Sequence, residues 1–160
     1  MEKLLKKVYE NEPLYELLTI LSRVCTALAV PAFIYSVYVS AGSSLTELVG
    51  LLITLGVPFI AVTVARRVID EPRPMQTYAF YANRRECVRS SSFPSRHVFS
   101  AFAIGVASLP YSVALGTVAL VSGVLLAVCR VLIGKHFPRD VIAGALIGTL
   151  TSLIGIFIFH

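Results

Sequence analysis

The sequence predicts an all-α protein, a bundle of membrane-spanning helices, and three observations support this fold class. Of its 160 residues, 56% are hydrophobic and only 14% are charged, whereas about a quarter of the residues in an ordinary soluble domain are charged. The apolar residues form runs close to the length that a helix needs to cross a bilayer, about 20 residues. Most charged residues lie between those runs. A chain of this length is expected to form a single domain, residues 1–160.

About five apolar stretches are candidate membrane spans, and they lie at about 17–39, 45–65, 94–109, 111–133 and 139–159. The third is short, roughly 24 Å at 1.5 Å per residue. That length suits a helix whose first turn lies at the membrane interface and lines a cavity. A turn is predicted at Gly42, Ser43 and Ser44, and Pro110 separates the third span from the fourth.

The N-terminal segment precedes these spans and is basic from Met1 to Lys7. Glu10, Glu12 and Glu16 separate it from the first apolar run. This arrangement favours a short interfacial helix followed by an uncleaved first span over a signal peptide.

Small residues recur on the last two spans, at Gly116, Gly123, Ala127, Gly144, Gly148 and Ser152. Such residues allow helices to approach closely, and Gly144-x-x-x-Gly148 is a small-xxx-small pair. We favour packing within the monomer over dimerisation as their role, and the sequence leaves the oligomeric state open. Cys25 and Cys129 are expected to be small packing residues and Cys87 a solvated thiol, without a disulfide or a zinc site.

The charged residues predict that one end of the bundle carries the chemistry. All 14 Lys and Arg are expected on one membrane side or in helix ends that face it. Of the nine acidic residues, only Glu47 is expected on the opposite side. The long polar loop, about 68–92, lies on the charged side. An odd number of spans brings three polar clusters together on that face.

The middle cluster runs from Ser91 to His97, with the sequence Ser-Ser-Phe-Pro-Ser-Arg-His. It is typical of a helix start, with Ser91 or Ser92 near the cap and Pro94 near the first helical position. The free amides of Ser95, Arg96 and His97 would then form an anion site at the helix N-terminus.

The last cluster is His136-Phe137-Pro138-Arg139-Asp140, and Pro138 predicts another helix start. A carboxylate at Asp140 that accepts the Nδ1 proton of His136 would leave Nε2 free as a nucleophile. Arg130 is expected to project toward the same pocket.

The first cluster is Arg66 with Arg73-Pro74. Arginine has a planar, permanently charged group that suits bidentate phosphate binding. Each cluster alone has a simpler explanation, as a helix cap or an anchor that reaches to the interface. Their convergence favours a phosphoryl-transfer site, because the transferring group needs cations and amides around its oxygens and a proton for the leaving oxygen. The sequence has no acidic cluster of the two-metal kind, so no metal or cofactor is expected.

The three clusters together resemble the pattern of the type 2 phosphatidic acid phosphatase (PAP2) superfamily, K-x6-R-P, P-S-G-H and S-R-x5-H-x3-D. The matching residues are Arg66 with Arg73-Pro74, Pro94-Ser95-Arg96-His97, and Cys129-Arg130 with His136 and Asp140. Both internal spacings agree, and the resemblance covers residues 66–140.

This resemblance implies a PAP2-like helical bundle and a role for each matched residue. His136 would attack phosphorus and form a phosphohistidine, Asp140 would orient it, and His97 would protonate the leaving group. Water would then hydrolyse the intermediate without a metal. The residues that would hold the phosphoryl oxygens are Arg66, Arg73, Ser95, Arg96 and Arg130.

Three residues depart from the family pattern. Arg66 replaces Lys and keeps its charge, and Cys129 replaces Ser and removes a hydroxyl partner. Arg96 replaces Gly, which would let the backbone approach an anion closely. The amide of Arg96 can still donate, and its side chain would either add positive charge or cover the entrance.

The expected function is an integral membrane lipid phosphate phosphatase, with lipid phosphates and membrane lipids as partners and no nucleic acid. Candidate substrates are phosphatidic acid, phosphatidylglycerol phosphate and polyprenyl mono- or diphosphates. Arg84, Arg85, Arg89 and Lys135 would steer an anionic head or bind anionic lipid. The alternatives are a non-catalytic anionic-lipid-binding or channel-like protein and a lipid phosphotransferase. Vanadate-dependent haloperoxidases share the motif plan, but they are soluble.

The cell (plasma) membrane is the expected location, and the sidedness of the active face has two conflicting indications. The distribution of Lys and Arg favours a cytoplasmic face. The family resemblance instead implies the extracytoplasmic or lumenal side.

Overall fold

The computed structural model describes residues 1–81 and 91–160, and all regular structure within them is helical. The helices are α1 (Glu2–Glu10), α2 (Glu12–Ser43), α3 (Leu45–Ile69), α4 (Pro74–Thr77), α5 (Arg96–Ser108), α6 (Val113–Leu132) and α7 (Pro138–Phe159), with a 3-10 turn at Ala79–Tyr81. This confirms the predicted fold class. The predictions made for Cys87, Arg84, Arg85 and Arg89 fall outside the described residues.

The first two long helices are capped by polar side chains and joined by a single residue. The Asn11 side chain accepts a hydrogen bond from the Leu14 amide at 3.2 Å, at the start of α2. Ser44 does the same for the Glu47 amide at 3.1 Å, at the start of α3. The predicted turn is therefore shorter than expected, because α2 continues through Gly42 and only Ser44 lies outside both helices.

The helices α2, α3, α6 and α7 are each long and apolar enough to cross a membrane, so the chain is an integral membrane protein. The predicted third span is α5, which has 13 residues and is about 20 Å long. It still connects the two ends of the bundle, because its last residue, Ser108, accepts a hydrogen bond from Ser36 near the far end of α2 at 2.9 Å. Four of the five predicted spans are therefore long enough to cross a membrane, and the predicted third span, α5, is shorter than the hydrocarbon core.

Helix α5 lies at the centre of the bundle and packs against α2, α3, α6 and α7. Its contact with α7 depends on glycine. A Cβ atom on Gly148 would lie 2.5 Å from the Phe99 carbonyl oxygen, and one on Gly144 would lie 2.6 Å from that of Ser95. The small-residue pair thus packs against α5 within one chain, as predicted. Cys25 and Cys129 are buried free thiols, in agreement with their predicted packing role.

An aromatic cluster joins α1 to the segment that follows Arg73. The ring centroid of Tyr9 lies 5.0 Å from that of Tyr81 and 5.6 Å from that of Phe80. Val8 and Tyr15 are buried in the same cluster. The N-terminal helix therefore packs on the same end of the bundle as the three polar clusters and supports the loop that carries Arg73.

Candidate active site

The three predicted clusters meet at one end of the bundle, where two helices end and two begin. Arg66 and Arg130 lie in the last turns of α3 and α6. His97 and Asp140 lie in the first turns of α5 and α7. Helix termini thus bring together residues that are far apart in the sequence.

His136 and Asp140 lie side by side as the sequence predicted, although their separation is longer than a hydrogen bond. Helix α7 begins at Pro138, which places Asp140 in its first turn and His136 just before it. Both side chains are buried, and His136 Nδ1 lies 3.6 Å from Asp140 Oδ2. The Phe137 amide donates to the same carboxylate oxygen at 2.8 Å. The contacts of the His136 ring are made by Nδ1, and Nε2 makes no hydrogen bond to a described residue.

Ser92 is a site residue that the sequence reasoning missed. It is fully buried, and its hydroxyl donates a hydrogen bond to Asp140 Oδ2 at 2.5 Å and lies 3.5 Å from His136 Nδ1. The sequence offered only the possibility that Ser92 caps α5. Its contact with Asp140 spans 48 residues, so no local pattern could reveal it.

The predicted start of α5 was wrong. The helix begins at Arg96 with Ser95 as its cap, and Pro94 lies before the cap. The loop is held in place by tertiary hydrogen bonds, from the Ser92 amide to the Glu71 carbonyl at 2.7 Å and from the Ser95 amide to the Asp140 carbonyl at 3.0 Å. The Ser95 amide is therefore occupied, and the first-turn amides of Arg96 and His97 have no acceptor within residues 1–81 and 91–160.

The Arg66 side chain holds this loop by donating hydrogen bonds to backbone carbonyl groups of the loop. It is only 6% exposed. Its Nη1 donates to the Ser92 carbonyl at 2.8 Å and also to the Pro94 carbonyl, and its Nη2 donates to the Ser91 carbonyl. The structure thus places the guanidinium on three carbonyl groups, and its predicted contact with phosphate stays a prediction.

The buried donors at the site are not all satisfied by the protein. Arg73 Nε, Arg130 Nε and Ser95 Oγ are buried and have no hydrogen-bond partner among the described residues. Buried donors nearly always have an acceptor. Two of them are on arginines that the sequence assigned to phosphate, and the third is the hydroxyl at the start of α5. Together they can accommodate an anion.

A backbone hydrogen bond joins two loops beside these donors. The Met75 amide donates to the Gly134 carbonyl at 3.0 Å, and the His136 amide donates to the Arg130 carbonyl at 3.1 Å. Gly134 has φ +74°, and a Cβ atom there would lie 2.6 Å from the Tyr81 hydroxyl. Glycine is needed here for both conformation and space. This contact fixes the loop after Arg73 against the loop before His136.

The environment of His136 favours its neutral form. Burial lowers the pKa of the imidazole below its ordinary value of 6.5; the contact with Asp140 opposes this shift, and the cations of Arg73 and Arg130 add to it. A neutral imidazole has a free lone pair, as a nucleophile requires. His97 is exposed and interacts electrostatically with Arg130, His136 and Arg73.

A groove leads away from His97 between α2 and α3. It has a volume of about 360 Å³, with Arg96 and His97 at one end and Ala29, Val30 and Phe59 along its walls. A second cavity of about 310 Å³ continues it past Phe59 and Ile104. Besides Arg96 and His97, only Thr26 and Ser100 are polar among the residues that line this groove, so its mostly apolar walls can take a hydrocarbon chain.

The described acidic residues nearest the site do not form a metal-binding group. No group of three or more His, Cys, Asp or Glu that could hold a metal ion occurs in the described part of the chain. Asp140 is engaged with Ser92 and Phe137, and Glu71 pairs with Arg139. The donors available to a phosphate here are therefore arginines, a hydroxyl and amides.

Comparison with known proteins agrees with this geometry. The sequence model of the PAP2 superfamily matches residues 47–160. The bacitracin transport permease protein BcrC of Bacillus licheniformis is 38% identical over 63 residues, which are 39% of this chain and 31% of that protein. The match thus spans about a third of the length of that relative.

Two solved structures share the fold. A transmembrane PAP2-type phosphatidylglycerolphosphate phosphatase from Bacillus subtilis superposes with a TM-score of 0.64 and 21% identity, over 91% of this chain and 76% of that one. LpxE of Aquifex aeolicus gives a TM-score of 0.60 and 21% identity, over 91% of this chain and 93% of that one. At this identity the likeness establishes the fold.

Proposed function

Since this chain belongs to the PAP2 superfamily, we propose that it is an integral membrane phosphatase that removes a phosphoryl group from the head of a lipid phosphate. The substrate classes that fit are phosphatidic acid, phosphatidylglycerol phosphate and polyprenyl mono- or diphosphates. The cell membrane is the proposed location. The phosphatases of known structure that share the fold support this assignment.

The proposed reaction begins with attack by His136 Nε2 on phosphorus. A nitrogen–phosphorus bond forms while the bond from phosphorus to the leaving oxygen breaks, and that oxygen takes the electron pair and a proton from His97. Asp140, whose Oδ2 lies 3.6 Å from His136 Nδ1, is proposed to orient the ring. Water then attacks the phosphohistidine, which releases inorganic phosphate and restores the imidazole. No step in this scheme requires a metal ion.

Arg73, Arg130 and Ser95 are proposed to hold the phosphoryl oxygens, with the first-turn amides of α5 beside them. Arg66 adds its charge and holds the loop on which Ser95 lies. Donors that are already in place when charge develops in the transition state stabilise it without reorganisation. Arg96 contributes a further cation at the end of the groove.

One observation carries the proposal, the set of buried donors without acceptors beside a buried His–Asp pair. Arg73 Nε, Arg130 Nε and Ser95 Oγ have no partner among the described residues, and both arginines act on His136 electrostatically. A structural role alone would leave these donors unsatisfied at considerable cost, about 1–3 kcal/mol each. A phosphoryl group held by these donors would satisfy them and would lie beside the imidazole on which both arginines act.

The test is a phosphate-release assay on the purified protein in detergent with EDTA present, over the four lipid phosphate classes. We expect release from at least one of them. His136→Ala should lower kcat by more than about a thousandfold, and His97→Ala by roughly 10²–10⁴-fold. His160→Ala is the matched control, because His160 stacks on Tyr111 at the far end of the bundle, and it should keep wild-type activity.

Three outcomes would overturn the proposal. Full activity of His136→Ala excludes the nucleophile. Binding of anionic lipid without any phosphate release supports a non-catalytic lipid-binding protein. Consumption of the lipid phosphate with transfer to another acceptor, without inorganic phosphate, supports a phosphotransferase.

Trapping of a ³²P-labelled, acid-labile and base-stable protein adduct that disappears in His136→Ala supports the phosphohistidine.

A further inference from the structure

Arg96 is a cation at the site, and its guanidinium has no anionic partner among the described residues. Its guanidinium makes no hydrogen bond or ion pair with a side chain of residues 1–81 or 91–160, and it lines the groove beside His97. Its charge acts on His97, Arg66 and Arg73. A fourth arginine among like charges is unfavourable unless an anion offsets it.

The position of Arg96 places this charge on the leaving-group side of the site. His136, the proposed nucleophile, is buried behind the site, whereas Arg96 and His97 lie at the end of the groove that would hold the lipid chain. The atom that leaves phosphorus is the one attached to the lipid. A cation at this point is therefore next to the leaving group and not next to the attacking nitrogen.

The charge at the site exceeds what one phosphate monoester can offset. Among the described residues, Arg66, Arg73, Arg96 and Arg130 interact with one another and with one carboxylate, Asp140, which leaves a surplus of three positive charges in this set. A phosphate monoester carries about −1.5 to −2 at pH 7. A diphosphate monoester has one more ionised oxygen and so matches the surplus more closely.

We propose that Arg96 forms a second anion subsite, an inference that rests on the proposed function. The subsite holds the lipid-proximal phosphate of a single-chain lipid diphosphate. The hydrocarbon chain lies in the groove past Phe59 and Ile104. The terminal phosphate is then the one that His136 attacks. The bond from terminal phosphorus to the bridging oxygen breaks, and the oxygen keeps the electron pair. The leaving group is the lipid monophosphate, its charge offset by Arg96, and water returns the terminal phosphate as inorganic phosphate.

The experiment compares two substrates with the same tail, farnesyl diphosphate and farnesyl monophosphate, in detergent micelles. The ratio of kcat/KM for diphosphate to that for monophosphate is measured in the wild type, Arg96→Gln and Arg96→Gly. We expect the wild type to prefer the diphosphate and both variants to lower the ratio by about tenfold or more, the effect of one charge-assisted hydrogen bond. Arg96→Lys, which keeps the charge, should retain part of the preference.

Arg67→Gln is the matched control, because Arg67 is an exposed arginine one residue beyond Arg66, and its ratio should equal that of the wild type. A wild type that prefers the monophosphate, or Arg96 variants with an unchanged ratio, would overturn the subsite. If His136-dependent release occurs with both substrates, such a result leaves the proposed function intact. If neither substrate nor any other lipid phosphate is hydrolysed, the proposed function itself fails.

The chain position is tested separately with Ile104→Trp, which fills the groove where the two cavities meet. In the wild type, kcat/KM should rise as the diphosphate tail is lengthened from isopentenyl to farnesyl. In Ile104→Trp that rise should be lost. A variant with an undiminished rise would show that the chain lies elsewhere.

Discussion

The Ser92 hydroxyl donates a hydrogen bond to Oδ2 of Asp140, the same oxygen that faces the His136 ring. Ser92 thereby fixes the carboxylate that is proposed to orient the nucleophile. Ser92→Ala should lower kcat by about 10- to 100-fold, because a hydrogen bond to a charged group is worth about 1.5–3 kcal/mol. The KM should change little, since Ser92 does not reach the substrate. Steady-state kinetics on the active lipid phosphate measures both constants.

Two further variants separate positioning from general stability. Ser91→Ala is the control, because the hydrogen bond that the neighbouring Ser91 hydroxyl makes within the described residues goes to the exposed Asp70, at 3.3 Å. This variant should keep wild-type kinetics. Ser92→Thr retains a hydroxyl and should recover part of the lost kcat. Equal losses of kcat in Ser92→Ala and Ser91→Ala would contradict a specific role for Ser92.

Arg66 is expected to stabilise the loop before α5, and exchange for lysine tests this. Arginine holds three carbonyl groups with two nitrogens, whereas a single ammonium group cannot match that geometry. Arg66→Lys should lower the free energy of unfolding by about 1–3 kcal/mol and increase amide hydrogen exchange across residues 91–97. Thermal unfolding and mass-spectrometric exchange measure these effects.

The control for this substitution is Arg67→Lys, at the exposed neighbouring arginine. It should change neither the melting temperature nor the exchange. If Arg66→Lys keeps the stability of the wild type and raises only KM, Arg66 contacts phosphate and does not hold the loop.

The parts of the site that neighbouring residues form could be predicted from the sequence. The parts that depend on contacts between distant residues could not. Pro138 sets the start of α7, and helix periodicity then places Asp140 within reach of His136. Both facts follow from five consecutive residues. The helical spans were equally accessible, because length and hydrophobicity define them. The predicted glycine packing also follows from composition, as the approach of Gly144 to Ser95 shows.

The loop before α5 shows why the remainder could not be predicted. Ser92 and Pro94 have the local pattern of a helix start, and on that pattern alone α5 would begin earlier. Contacts with Arg66, Glu71 and Asp140 hold the loop in a non-helical conformation instead. These partners come from two other parts of the chain, so tertiary hydrogen bonds override the local preference.

The stability of the protein should depend on pH through His136. Its pKa in the folded protein lies below 6.5, mainly because it is buried. The unfolded chain therefore binds more protons at this residue as the pH falls below about 6.5. The contribution of neutral His136 to the free energy of unfolding is fully present above about pH 6.5. It is lost as the pH falls toward the lower pKa that His136 has in the folded protein.

The measurement is the melting temperature between about pH 8 and pH 5 for the wild type and for His136→Gln, which cannot titrate in this range. The decrease on acidification should be larger for the wild type. A variant that loses as much stability as the wild type would show that other groups cause the acid sensitivity.

Gly148 should be essential for the contact between α5 and α7. Its missing Cβ would lie 2.5 Å from the Phe99 carbonyl oxygen and 3.0 Å from the Ala103 nitrogen, and both are backbone atoms that cannot move alone. Gly148→Ala should therefore separate the two helices and lower the free energy of unfolding by about 1–3 kcal/mol. Activity should fall as well, because α5 carries His97 and α7 carries Asp140.

Gly42→Ala is the matched control, since a Cβ atom at that helical glycine would have no neighbour within 4 Å. Alanine has a better helix propensity than glycine, by about 1 kcal/mol, so this variant should be as stable as the wild type or more stable. Thermal unfolding compares the two, and size-exclusion chromatography with light scattering gives the oligomeric state. If Gly148→Ala changes the oligomeric state but leaves the stability of the monomer unaltered, the small-residue pair serves association between copies. The close approach of Gly148 to the backbone of α5 within one chain predicts the opposite, a less stable protein with an unchanged oligomeric state.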